Sequence, residues 1–152
     1  MAKYNPKNPQ HRKWLAQRVL KIVLGYGYVM DFTDGSQELT FYRKTDTGEV
    51  RVFTSIDKRS GAMRYGGTDA IRVLATCPTT PTEVTGGNIV EINHSRLRFN
   101  RNIHRRGTFD TIAKRVAEAL RIANWNVENP DKPRWDGDSK PKRRRGKRIR
   151  KK

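Results

Sequence analysis

Between Gln37 and Cys77 the chain repeats one pattern three times, and that repetition restricts its fold more than any other feature. Residues 37–44, 49–56 and 69–77 are runs rich in β-branched and aromatic side chains. Each run closes on turn chemistry: Asp46-Thr47-Gly48, then Asp57 to Gly61, then Cys77-Pro78. Runs so punctuated predict a three-stranded antiparallel meander. Alternation along a strand places Val50, Val52, Thr54 and Ile56 on one face and Arg51, Phe53 and Ser55 on the other. In the third run Ile71, Val73, Ala75 and Cys77 oppose Ala70, Arg72, Leu74 and Thr76. A sheet this small does not stand alone in water. The flanks must cover one face.

Both flanks read as helices. Asn8 is a cap and Pro9 suits the first helical position, where its missing N–H costs nothing. Leu15, Val19, Ile22 and Val23 then recur at helical spacing, widened by Trp14, Leu20 and Leu24, and Gly25 offers a left-handed stop. Arg12, Lys13, Gln17, Arg18 and Lys21 fall mainly on the other side. That basic face serves equally as a solvated surface or as a partner contact. The following Gly25-Tyr26-Gly27-Tyr28 comes after a helix, whereas phosphate-cradling glycine loops precede one. Near the other end Thr108 or Asp110 caps a second helix, whose stripe is Phe109, Ile112, Ala113, Val116, Ala117, Leu120 and Ala123.

Residues 78–87 have loop composition, and 88–93 suggest a short strand. From Arg96 to Arg101 alternation resumes, which turns Leu97 and Phe99 inward and Arg96 and Arg98 outward. The expected fold is therefore α+β. A small antiparallel sheet of three to four strands is packed by an N-terminal and a C-terminal helix. One domain spans residues 1–128, and 129–152 form a linker and a disordered polybasic tail.

Charge speaks to partners. The formal net charge is +18 over 152 residues, from 33 Lys and Arg against 15 Asp and Glu. Residues 139–152 hold ten of those cations and no acid, which leaves the body at 23 against 15, or +8. A surplus of this kind favours polyanions, nucleic acid first. The densest basic stretch of the body carries Arg96, Arg98, Arg101, Arg105 and Arg106 without an acid. The segment 57–67 adds Lys58, Arg59 and Arg64 beside Tyr65 and three glycines. Cations suit phosphate, glycine allows close backbone approach, and a tyrosine ring stacks on bases. The tail contributes Lys142, Arg143, Arg144, Arg145, Lys147, Arg148 and Arg150.

Other chemistry is sparse. The single cysteine, Cys77, sits in a strand pattern and reads as a buried thiol in a reducing compartment. No apolar run reaches the roughly 20 residues of a membrane span, and the N-terminus lacks a secretory apolar region. An intracellular location with no membrane partner is expected. His11, His94 and His104 lack zinc-site spacing, so no metal or cofactor is expected.

Glu49-Val50-Arg51 after Asp46 resembles the acid–x–lysine strand of restriction-type nucleases, with Arg in place of Lys. Asn93-His94 and His104 resemble parts of the ββα-metal finger. Neither motif is complete. The element order resembles double-stranded-RNA-binding domains and the core of single-strand annealing proteins in outline only. Thr108-Phe109-Asp110 stands where the former carry paired lysines, so no family follows.

The functional expectation is binding of nucleic acid, DNA or RNA, through phosphates and without base reading. The alternatives are a structural component of a nucleoprotein particle, ribosome-like or viral and with protein partners there, or a metal-dependent nuclease.

Overall fold

A computed structural model describes residues 2–66, 70–78, 84–85, 88–89 and 95–137. The tail cations Lys142 to Arg150 and His94 lie outside the described residues. Helix α1 (Pro9–Gly25) leads into strands β1 (Val29–Met30), β2 (Glu38–Thr45), β3 (Gly48–Asp57) and β4 (Ala70–Pro78). Two short strands, β5 (Val84–Thr85) and β6 (Asn88–Ile89), pair only with each other, and β7 (Ser95–His104) precedes helix α2 (Phe109–Glu128). The main sheet is antiparallel with the order β1-β2-β3-β4-β7, so it has five strands rather than the expected three to four. The added strand, β1, is too short to leave an alternation signal. The α+β architecture stands.

Local chemistry explains the helix ends. Asn8 Oδ1 accepts from the Gln10 and His11 amides at 2.9 and 3.3 Å, and Pro9 takes the first helical position. Thr108 Oγ1 accepts from the Thr111 amide at 3.0 Å and so caps α2. The left-handed residue after α1 is Gly27, with φ +90°, and not Gly25. The helix simply runs to Gly25 and is capped by Tyr26.

The core forms between one sheet face and the helices. Val50, Val52, Ile71, Val73 and Ala75, as their alternation predicts, lie fully buried with Phe41 and Phe99. Cys77 is a buried free thiol. Helix α2 packs on β3, β4 and β7 through Ile112, Val116, Leu120 and Ala123. Helix α1 packs along α2, where Leu15, Val19 and Val23 close the core. Arg18 pairs with Asp110 at 2.6 Å, and the Tyr28 hydroxyl donates to Asn124 Oδ1 at 2.6 Å. Trp14 and Leu24 do not join the stripe; they stay exposed.

The segment after α2, expected to be linker, is fastened back. Buried Asn126 donates from Nδ2 to the Trp135 carbonyl at 2.7 Å and accepts the Trp135 amide at 2.9 Å. The Trp135 ring meets Trp125 edge-on at 5.7 Å. The packed body thus extends to residue 137.

The opposite face of β2, β3, β4 and β7 carries no described helix. Tyr42, Arg51, Leu74 and Asn100 form one cross-strand row on it, and Phe53, Arg72 and Asn102 the next. Asp31 ties its edge: Oδ1 accepts the Thr33 amide and hydroxyl, and Oδ2 accepts Arg51 Nη1 at 2.8 Å. These bonds, Thr33 foremost and Arg51 next, hold the Asp31 carboxyl well below the usual range. A depressed folded pKa adds stability that is full above the unfolded value of about 4 and is lost progressively as pH falls from there toward the folded pKa. The urea midpoint is therefore expected to drop between pH 7 and pH 3, and Asp31→Asn to narrow that drop. An equal drop in both proteins would refute this account of the brace.

Candidate nucleic-acid interface

Helix α1 carries Arg12, Lys13, Arg18 and Lys21 and no acidic residue from Pro9 to Gly25. Its first turns lie beside residues 57–66, the cationic segment that follows β3. The start of that segment is tied by its own backbone. The Asp57 amide reaches the Ala62 carbonyl, the Gly61 amide the Asp57 carbonyl, each at 2.9 Å, and Ser60 N–H donates to Asp57 Oδ2 at 3.0 Å. Gly61, at φ +72°, makes the tight reversal possible. The Met63 amide then bonds the Arg12 carbonyl at 3.1 Å, which pins the loop to α1.

A cleft of about 480 Å³ results, lined by Arg12, Lys13, Ser60, Met63, Arg64 and Tyr65 together with Pro9, Asp57 and Ala62. Tyr65 is 60 % exposed, with the Arg12 guanidinium 5.1 Å from its ring centroid. Arg12 Nη1 also donates to the Pro6 carbonyl at 2.8 Å, so the guanidinium is held in place. Lys13 and Arg64 are exposed in the lining, and Arg59, next to Ser60 in the chain, is exposed outside it. Lys58 is exposed too, but it turns away: Nζ donates to the Asp34 carbonyl at 2.8 Å. Asp57 is the one acid lining the cleft. Its carboxyl is held below the ordinary range by the Ser60 amide.

The arginines of β7 are arranged otherwise than alternation predicts. Ala75 pairs with Phe99 but Thr76 with Leu97, so Arg98 is the extra residue of a β-bulge. The bulge puts Arg98 on the helix face beside Phe99 and turns Leu97 outward, where it is 44 % exposed. Arg98 is buried and donates from Nε and Nη2 to the Asn126 and Asn129 carbonyls at 3.2 and 2.9 Å. It thus satisfies carbonyls that the end of α2 leaves open. Arg101 pairs with Glu118 at 2.9 Å and donates to the Asp136 carbonyl at 2.8 Å. Arg96 reaches the Pro130 carbonyl at 2.6 Å. Arg105, 3 % exposed, donates from Nη1 to the Arg64 carbonyl at 2.9 Å and braces the loop from below. Of the five, Arg96 and Arg106 are exposed. Arg98 and Arg105 serve the fold, so of the basic surface expected of residues 96–106 only Arg96, Arg106 and part of Arg101 face outward.

Arg98→Met keeps the stem volume but removes both donors. It is expected to lower unfolding stability by about 2 kcal/mol, because the buried Asn126 carbonyl and the half-buried Asn129 carbonyl lose their partner. The salt dependence of ligand binding by the folded variant is expected to stay unchanged. A titration in urea and one in salt check the two halves.

The two described histidines lie on different elements, His11 on α1 and His104 at the end of β7. His11 accepts the Asn5 amide on Nδ1 at 3.0 Å and packs against Tyr4, Trp14 and Phe109. Glu49 lies 3.2 Å from Arg51. Among the described residues no group of three or more His, Cys, Asp or Glu side chains is placed to hold a metal ion. Among them, too, no helix is long and apolar enough to cross a membrane. Comparison with known proteins returns nothing: no protein family, no curated protein and no solved structure matches the chain.

Sequence reasoning placed Arg59, Arg64 and Tyr65 in the interface. It left the face of Arg12 and Lys13 open, because their closeness to the loop depends on the Met63–Arg12 bond. It missed a second concavity as well. On the open sheet face about 600 Å³ is enclosed by Phe53, Ser55, Arg72, Asn100 and Asn102, with Glu38, Ala70 and the loop residues Arg64 and Gly66 as its walls. Arg64 lines both clefts.

Proposed function

We propose that the protein binds nucleic acid through its phosphate backbone, without reading base sequence. The observation that supports this most is the convergence of Arg12, Lys13 and Arg64 around one cleft that a single acid lines, with exposed Arg59 next to lining residue Ser60 in the chain. Phosphates thread such a surface because each neutralised charge releases condensed counterion. Arginine adds paired donors that match phosphate oxygens. Tyr65 supplies a ring at the cleft rim. The tail, with ten cations among residues 139–152, adds a second electrostatic contact by composition alone.

Fluorescence anisotropy with labelled oligonucleotides tests the proposal. Binding is expected at about 50 mM salt and a loss of at least tenfold by about 200 mM, since each phosphate contact steepens the salt slope by about 0.9. No binding at low salt, or binding indifferent to salt, would remove it.

A further inference from the structure

The cleft on the open sheet face has the shape and donor set for an unpaired nucleotide, and we infer that the preferred ligand is single-stranded. This inference rests on the nucleic-acid reading above and goes beyond it, because phosphate contacts alone do not distinguish strands. Phe53 lies on the floor of the cleft. It is half-buried, flanked in the same cross-strand row by Arg72 and Asn102, and the Arg72 guanidinium sits 5.8 Å from its ring centroid. A planar base stacked there takes the sequence-tolerant contact that aromatic rings give to every base. Asn100 and Asn102 are exposed beside it; Asn100 Oδ1 accepts Arg72 Nε at 3.2 Å, which leaves its amide donors, while Asn102 carries both donors and an acceptor that suit a base edge. Glu38 adds an acceptor-only wall, with Oε1 fixed by the Ser55 amide at 2.7 Å.

The site is built rather than incidental. Ser55 is the one residue other than glycine with positive φ among the described residues, at +62°. Three bonds hold it there: its amide donates to Glu38 Oε1, its hydroxyl to the Ala70 carbonyl at 2.8 Å, and its carbonyl accepts the Arg64 amide at 2.7 Å. A strained backbone fixed in this way at a concave surface marks a place where shape matters. Arg64 then connects the two halves of the molecule's binding chemistry. A strand whose phosphates follow Arg12 and Lys13 reaches Arg64, which lines both clefts, and beyond it a base meets Phe53. A base held in a duplex stack is not presented in this way. The base must be unpaired to enter.

The test uses the full chain and three labelled ligands of equal length: a mixed-sequence single strand, its duplex, and an abasic strand with phosphates but no bases. The wild-type protein is expected to bind the normal strand about tenfold more tightly than the abasic one, and more tightly than the duplex. Phe53→Ala is expected to bring the normal strand down to the abasic value, whereas Phe53→Tyr keeps the difference. If Phe53→Ala fails to fold by circular dichroism, Asn102→Ala, a surface change, is expected to shrink the difference severalfold. Equal affinity of the wild type for normal and abasic strands, or a difference that survives Phe53→Ala and Asn102→Ala, overturns the inference but leaves phosphate binding intact. Failure of all three ligands at low salt overturns both.

Discussion

Gly48→Ala is expected to destabilise the protein by about 3 kcal/mol, the upper end of overpacking costs, and to lower its melting temperature by about 10 °C. Gly48 lies where the β2–β3 hairpin, β4 and the last turn of α2 meet. A Cβ built there would come within 2.7 Å of the Thr76 carbonyl oxygen and 2.9 Å of Cys77 Sγ and Val127 Cβ. None of these atoms is the free end of a long side chain. The carbonyl belongs to the sheet, the thiol is buried, and Val127 is held by α2, whose carbonyl there accepts the Thr47 hydroxyl at 2.5 Å. Relief therefore requires moving β4 or α2, and both are braced by the core. Gly25→Ala is the control: nothing lies within 4 Å of its Cβ position and its φ is not positive. In a helix that change is neutral or stabilising. Matched thermal melts of the two variants decide the point, and equal melting temperatures would show that the junction is looser than its geometry.

The largest functional effect is expected from changing Arg12, Lys13, Arg59 and Arg64 together to Gln. Each neutralised phosphate contributes about 0.9 to the slope of log affinity against log salt. Four lost contacts then cost on the order of a thousandfold in affinity at about 0.1 M salt and flatten the slope by between 3 and 4. All four side chains lie at the surface, Arg12 partly and the other three fully, so the melt is expected to stay near that of the wild type. The matching change at Arg96 and Arg106, exposed but away from the cleft lining, is expected to cost far less. Comparable losses in the two variants would mean that diffuse charge, and not the cleft, does the binding.

Much of this architecture was legible before any coordinates, for reasons that are local. Period-two alternation assigned the faces of β3 from Val50 to Thr54 and of β4 from Ile71 to Cys77, because those stretches are long and most of their inward residues are β-branched; it failed at Ser55, whose left-handed backbone breaks the alternation. Asn8-Pro9 and Thr108 marked helix starts because a cap is a short-range bond. Arg98 was misplaced because a bulge in β7 carries no glycine or proline to announce it. Its direction is set by its partners across the sheet, at Ala75 and Thr76. The clamp of Trp135 on Asn126 was equally hidden, since Asn-Pro-Asp-Lys-Pro has the composition of a linker whether or not its end is fastened. The site was half visible for the same reason. Arg59, Arg64 and Tyr65 are neighbours in sequence. Arg12 and the Phe53 cleft join them only through the register of the sheet and the docking of the loop on α1.

The most direct test is the salt slope of oligonucleotide binding by a chain ending at Asp138, measured beside the full chain. The account predicts that the shortened chain still binds at about 50 mM salt, with a slope of about 3 or steeper from the three cleft cations and the neighbouring Arg59, while the full chain is steeper by several contacts more. Loss of all binding with the tail would contradict it, and would move the interaction from the folded surface to residues 139–152.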